Sequence, residues 1–483
     1  MNSAKHSIKR CVFAASAVTL AMQSAHAIDC KAVPAMREAT GITYHVSEFG
    51  AYPDDGVDDT ATIQLALDSL LPGDRLLFEM NGVYQHNLAL HIRRPGVNVD
   101  GMYAVFRGTN PDSQAFLIEA DNVQLYRTVI TNVIDSRRTA PRHSAIAVYS
   151  VNDGNTPIHG TRILHNQIRA DVPVPGTAAQ GSSSGGIFLF NAGNFVVAGN
   201  SILRSVADGI HMTHGSRNGR VINNYIEEGG DDGIAVVSYL GDGWQSKATN
   251  VNTPTWLSDA IASSLDDNIF IYNNTVTGNY WGRGIAVVGG RNVTIENNTS
   301  SKIYRSAGIL IAHENGYNTF GTSNVLVKGN NVVDIRQGQP TFAPTGPGFT
   351  VLTQQLAQPN NSGHAALETH GRVNDSDAVL NIPDPVGLLA VRDILFSNNT
   401  VTNSYGPGIR VGADSSRLGR IGYVGNQLTT AWTIQILSTG KFQSGIAPYC
   451  LNNSTTGSTP VYDTCQPTTP PVVTGFTCNS NQI

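Results

Sequence analysis

Charge is scarce in this sequence. Only 14% of its 483 residues are Asp, Glu, Lys or Arg, and their formal sum is -5. No Lys/Arg cluster forms the basic footprint of a nucleic-acid binder, so no nucleic-acid partner is expected. No segment after residue 27 has a membrane-spanning length of apolar residues, so no membrane insertion is expected. No Cys or His set has zinc spacing. The scattered glycines, Gly-Asp-Gly at 241–243 included, form no phosphate loop. Asp54, Asp55, Asp58 and Asp59 crowd together but lack the spacing and the closing glutamate of an EF-hand. These motifs therefore call for no cofactor and no resident metal.

Cysteine is rare as well, with five in the chain. Residues 1–27 read as a bacterial secretory signal: Lys5, Lys9 and Arg10, the short apolar run CVFAASAVTLAM, then Ala25-His26-Ala27. Its removal takes away Cys11 and three positive charges, moving the formal charge from -5 to -8. The expected location is periplasmic or extracellular. In such an oxidising compartment Cys30, Cys450, Cys465 and Cys478 can pair in three ways. A Cys450–Cys465 bond, pinning a loop in the tail, is the favoured one.

Glycine, by contrast, is abundant at 49 residues, and it recurs in register. GIFLF starts at Gly186, GIHMT at Gly209, GIAVV at Gly233 and again at Gly284, GILIA at Gly308 and GIRV at Gly408. Between them run FVVAGNSI, GRVINNYI, IFIYNNTV, VTIENNTS, VLVKGNNV and ILFSNNTV. Gly186 to Gly209 is 23 residues; Gly209 to Gly233, Gly284 to Gly308, Asn200 to Asn224 and Asn274 to Asn298 are each 24. Short β segments at this period, with no helices between, predict an all-β right-handed parallel β-helix. Ile, Val and Met point inward, and the Asn residues stack at the turns. Asp59 is placed to cap a helix from Thr60, whose Ile63, Ala66, Leu67 and Leu70 would cover the open end of the coil. The expected organisation is a signal at 1–27, the coil at 28–430, and a partly irregular tail at 431–483. Insertions at 239–267 and 337–390 break the period. About ten rungs at roughly 4.8 Å set the ends near 50 Å apart. A bond from Cys30 to a tail cysteine is not expected unless the tail folds back along the coil.

Aligning the rungs on glycine sets Gly185, Asp208, Asp232, Arg283, Ala307 and Pro407 in one outer column. Asp208 and Asp232 then lie about one strand spacing apart, with Asp231 beside the second. Alternation turns His211 outward into the same groove, where Ala235 and Ala286 leave space. Crowded carboxylates cannot all ionise, so at least one pKa rises. Glycoside hydrolysis uses that inequality: one acid protonates the leaving oxygen and one carboxylate activates water.

Asp208-Gly-Ile, followed one rung later by Gly230-Asp-Asp-Gly-Ile, resembles the Asp-Gly and Gly-Asp-Asp motifs of polygalacturonase-type glycoside hydrolases. Those are right-handed parallel β-helices of the pectin-lyase fold. EFGAYPDDGVDDTATIQLAL resembles the N-terminal signature of the pectate-lyase superfamily, so the likeness spans roughly residues 42 to 430. It implies catalysis by Asp208, Asp231 and Asp232 with inversion, and an extended, acidic polysaccharide as substrate. The family's His-Gly is Arg283-Gly284 here. Its Arg-Ile-Lys, which holds the galacturonate carboxylate, is replaced by Gly308-Ile-Leu-Ile-Ala-His313-Glu314.

Arg283 and His211 complete the expected catalytic set. His313, Glu314, Trp281 and Trp244 are the expected substrate contacts, with Trp256 and Tyr280 as further rings for stacking. A lyase or C5-epimerase is the alternative. It would hold calcium on the acids and use His211 more easily than Arg283 as the base. A glycan-binding protein or adhesin is another alternative, but it has no reason to crowd three carboxylates.

Overall fold

The computed structural model describes residues 29–138, 140–150, 156–170, 181–239, 265–314, 317, 319–342, 363–372, 390–413, 418–429, 448–456 and 471–478. The expected signal segment, most of both insertions and much of the tail lie outside them. Among the described residues no helix is long and apolar enough to cross a membrane.

Among the described residues, three parallel sheets of 15, 12 and 10 strands run from Thr43 to Thr456. One turn of the coil takes Ile210–Thr213 in the ten-stranded sheet, Arg217–Ile222 in the fifteen-stranded sheet and Tyr225–Glu227 in the twelve-stranded sheet. Ile234–Val237 then returns to the ten-stranded sheet, directly above the start. Alternation fixes the register, because a one-residue slip would turn every core side chain to solvent. Ile187, Ile210, Ile234, Ile285, Ile309, Leu367 and Ile409 accordingly stand in one unbroken inward column.

The corner before the strands of the ten-stranded sheet is glycine at Gly186, Gly209, Gly233, Gly284, Gly308 and Gly408, and alanine at Ala89, Ala115 and Ala145. A Cβ on Gly233 would lie 2.2 Å from Val276, so no larger residue fits between Asp232 and the strand. At the rung of Leu367–Arg372 the corner is Ala365-Ala366. That rung lacks the glycine signature and sits inside the 337–390 insertion, where the repeat pattern does not reveal it.

The Asn residues form a continuous ladder through Asn166, Asn200, Asn224, Asn274, Asn298, Asn330, Asn399, Asn426 and Asn453. From Asn200 on, each Oδ1 accepts from the backbone N–H and the Nδ2 of the Asn one rung before, at 2.8–3.1 Å. The residue before each ladder Asn is left-handed, as at Asn223, Asn273 and Asn297 (φ 54–56°). This explains the Asn-Asn pairs: the first turns the chain and the second bonds the stack. Asn224→Ala strands the buried N–H of Asn200 and one of its two Nδ2 hydrogens, the other still bonding the carbonyl oxygen of Ile163. At about 1–3 kcal/mol for each buried unsatisfied group, the expected loss is about 3 kcal/mol or more, read from the urea midpoint. An unchanged midpoint would show that the ladder is not what holds the corner.

Helix Thr60–Ser69 buries Ile63, Ala66 and Leu67 against the first rungs, as expected for a cap. Its expected N-cap differs. The Asp59 carboxylate makes no capping bond and accepts from the N–H of Gln85 (3.2 Å), while Asp58 accepts from the N–H of Thr60 (3.1 Å). At the other end the coil continues past residue 430. Tyr449–Leu451 and Ser454–Thr456 pair on Ile421–Val424 and Gln427–Thr429.

The expectation for Cys30 is corrected. Cys30 is bonded to Cys478, across 448 residues. The tail folds back: Thr474 and Gly475 reach Asn324, Phe476 reaches Thr294 and stacks on Phe270, and Thr477 reaches Asn268. The N-terminal segment approaches from the opposite end, through Arg37 on Gln124, then Ala35 on Arg162, then Cys30 and Ala32 on buried Arg220. The two segments form one strap along the outside of the fifteen-stranded sheet, and the disulfide closes it midway. Cys450 is disulfide-bonded too, and Cys465 lies outside the described residues.

Candidate active site

On the ten-stranded sheet the expected column is present. Asp208 Oδ1 accepts the N–H of Asp232 (3.0 Å), and Asp232 Oδ1 accepts the N–H of Arg283 (2.7 Å). Each acid thus closes the corner of the next rung as well as facing the groove. One oxygen from each of Asp208, Asp231 and Asp232 lies within 4.8 Å of the other two. All three line a cavity of about 520 Å³, together with His211, Arg283, Glu314, Trp281, Tyr239 and Tyr317.

The three carboxyls have different environments. Burial works against the charged form of Asp208. His211, whose Nδ1 lies 2.7 Å from Oδ2, and Arg137 outweigh it, so Asp208 sits below the ordinary carboxylate range. Burial raises Asp231, Arg137 opposes with a 2.6 Å bond, and the neighbouring Asp208 adds to the rise. Asp232 is pushed well up by burial, with Arg283 opposing and Asp231 and Asp208 adding to the shift. Asp231 is the most accessible of the three, its side chain 24% exposed against 18% for Asp208 and 6% for Asp232.

Arg283 does not stand free toward substrate. It sits between Asp232 (3.4 Å) and Glu314, both of which it contacts. Burial opposes the charge on Glu314, but Arg283 and then His370 hold its carboxyl down at about 2. Behind it Glu368, 1% exposed, accepts from His364 (2.8 Å) and His370 (2.9 Å). His370 is pushed up to about 9, because Glu314 and Glu368 outweigh its burial.

The other expected contacts divide. Trp281 lines the cavity and carries Arg305 over its ring at 3.7 Å. Tyr280 is fully buried below it, and His313 is 2% exposed and outside the cavity wall. Trp244 and Trp256 lie outside the described residues. Ala235 and Ala286 do not leave open space, for they pack with Val237, Val288, Leu310 and Tyr239 in a small outer apolar patch. Arg137 is the residue that sequence reading misses. It lies in an irregular turn, 94 positions before its partner Asp231, outside any repeat. Glu368 and His370 are hidden with their unmarked rung.

Among the described residues, Asp208, Asp231 and Asp232 are grouped closely enough to share a cation. Calcium takes six to eight oxygens. Four of the six carboxylate oxygens here accept from His211, two backbone N–H groups and the guanidinium of Arg137, and Arg283 stands beside Asp232.

Comparison with known proteins follows the geometry. A description of right-handed β-helix regions matches residues 106–240. The sequence finds no match among curated proteins. Among solved structures, the catalytic domain of a GH87 alpha-1,3-glucanase with nigerose aligns at TM-score 0.56 and 16% identity, over 85% of this chain and 67% of that one. A related complex with tetrasaccharides aligns at 0.55 and 14%, over 88% and 66%. The catalytic unit of a thermostable GH87 alpha-1,3-glucanase from Streptomyces thermodiastaticus aligns at 0.49 and 16%, over 90% and 71%. The chain thus spans about two thirds of the two sugar-bound glucanase domains. With its three parallel sheets in register, this chain is a right-handed parallel β-helix protein.

Proposed function

We propose that this protein is a glycoside hydrolase acting on an extended polysaccharide laid along the ten-stranded sheet. The observation that carries the reading is the convergence of Asp208 and Asp231, one rung apart, on one cavity with their oxygens within 4.8 Å, in environments that hold Asp208 down and raise Asp231. Such a pair has the acid and base roles built in. Asp231 gives its proton to the glycosidic oxygen as the C–O bond breaks. Asp208 takes a proton from the water whose oxygen bonds the anomeric carbon. Asp232, nearly buried, holds Arg283 and keeps the field of the site negative. The sugars bound in two of the similar solved domains are in keeping with a glycan here.

The test is product analysis on a panel of neutral and acidic polysaccharides. New reducing ends without ultraviolet absorbance support hydrolysis. Absorbance from an unsaturated uronate would overturn it in favour of a lyase. Arg283 is clamped by two acids and so is not poised as a base; a lyase or epimerase would have to use His211, whose Nδ1 is oriented by Asp208. A chelator is expected to leave the rate unchanged. Stereochemistry is a separate measurement. Inversion is what the family resemblance implies, yet the closest oxygens of the triad lie within 4.8 Å. Inverting pairs usually stand about 6.5–9.5 Å apart and retaining pairs about 5–5.5 Å. Proton NMR of the first-formed anomer separates the two.

The pH profile follows from the same pair. Activity needs Asp208 ionised and Asp231 protonated, so the bell should lie on the acid side of neutrality. Asp231 faces Arg137, Asp208, Asp232, Arg283 and Tyr280, and Tyr239 and Tyr317 stand close enough to feel its charge. Arg137 lowers both Asp208 and Asp231. Arg137→Gln is therefore expected to move both limbs of the profile to higher pH. A profile that stays in place would remove Arg137 from the tuning.

A further inference from the structure

The cavity wall on the N-terminal side of the acids is aromatic. Phe188 stacks on His211 with centroids 5.0 Å apart and planes 2° off parallel. Phe190 stacks on His214 at 4.2 Å and 17°, and Tyr149 meets Phe190 edge-on at 5.1 Å. All five rings line the cavity, and they come from three successive rungs. Phe188, Phe190 and Tyr149 are half-buried, so part of each still faces the groove.

The charged wall has the opposite character to that of a site for an acidic sugar. Among the described residues, every arginine lining the cavity already holds a carboxylate. Arg137 holds Asp231 (2.6 Å), Arg138 holds Asp112 (2.9 Å) and Asp135, and Arg283 holds Asp232 and Glu314. The lining itself offers three guanidiniums against four carboxyls, Asp208, Asp231, Asp232 and Glu314. A polyuronate brings a carboxylate on every sugar. Among the described residues it would meet no arginine in the cavity wall that is not already paired with an acid, and would have to displace an acid from its arginine. The net negative charge, -5 over the whole sequence and more negative without residues 1–27, adds long-range repulsion.

We infer that this groove takes an uncharged polysaccharide, with one sugar ring packed on the platform of Phe188, Phe190 and Tyr149, and that it does not take a polyuronate. The inference rests on the hydrolase reading above and narrows its substrate from the acidic polymer expected from the family resemblance. Flat apolar rings beside a few polar groups are the usual lining of a pocket for a neutral ligand.

The experiment measures reducing ends released by the full mature chain from neutral glucans, mannans and galactans, and from polygalacturonate and alginate. Cleavage of at least one neutral polymer, at a rate insensitive to salt, is expected. Phe190→Leu and Tyr149→Leu, which keep apolar bulk but lose the ring, should each raise KM by about 3–10-fold, the scale of an aromatic contact. Their kcat should stay close to that of the parent. Cleavage of a polyuronate in preference to every neutral polymer, abolished in Asp231→Asn, overturns this inference and leaves the hydrolase standing. A KM unchanged in both ring variants overturns the platform. Cleavage of neither class, with no polymer retarding Asp231→Asn in affinity electrophoresis, removes the hydrolase reading itself.

Discussion

Asp231→Asn is expected to lower kcat by about 10²–10⁴-fold, the usual cost of losing a positioned acid, while leaving the fold at least as stable as the parent. The two halves of this expectation have one cause. A carboxyl that folding pushes upward is one whose charge the folded state disfavours. Asp231 is raised by burial and by Asp208, so above its unfolded pKa its ionised form costs stability. The amide keeps the shape and can still accept from Arg137, but it cannot donate a proton to a leaving group. Asp232→Asn should be at least as stable for the same reason. Asp208→Asn has the opposite sign. Its folded pKa is depressed, so it contributes stability above its unfolded value that is lost as pH falls through the folded one. The amide variant gives up that contribution and should melt earlier at neutral pH. Thermal melts of the three variants at pH 7 therefore order them by role as well as by rate. Full activity in Asp231→Asn on a polymer the parent cleaves would make the acidic column structural.

The column was legible because a coil in register converts sequence period directly into space. Asp208 and Asp232 are 24 positions apart in the chain and one strand spacing apart in the molecule, and no other information is needed to bring them together. The ladder was legible for the same reason. What escaped the period was harder to see. Arg137 enters the site from a turn with no repeat to place it. Glu368 and His370 sit on a rung whose corner is alanine. The Cys30–Cys478 bond depends on a strap that returns along the outside, and straps carry no periodic signal. Arg283 was placed correctly in the column but its partner was not. Glu314 lies five positions along the strand from Ile309, whose register neighbour is Ile285. Only the path of the side chains shows that the guanidinium spans both acids.

That clamp carries the other large effect. Arg283→Leu is expected to cost about 3–5 kcal/mol, because removing one member of a buried ion pair leaves the rest uncompensated. The exposures justify little discount for solvent: the side chains of Arg283, Glu314 and Asp232 are 15%, 12% and 6% exposed. His370 stands 3.7 Å from Glu314 and can shield it in part, but Asp232 has no second cation in contact among the described residues. Lysine should rescue incompletely, since a point charge cannot span two carboxylates as a planar fork does. The pH dependence identifies the mechanism. With Arg283 present, the Glu314 carboxyl is held down at about 2 from an ordinary 4.5, so its contribution is present above about 4.5 and fades as pH falls through about 2. Without Arg283 that carboxyl moves back up, and the variant should regain ground on the parent as the pH is lowered and both acids protonate. Adding Glu314→Gln to Arg283→Leu should recover part of the loss at neutral pH by removing one stranded charge. Urea midpoints at pH 4 and pH 7 measure both effects. A deficit that is the same at the two pH values, or undiminished in the double variant, would mean that Arg283 supports the fold by packing and not by neutralising the acids around it.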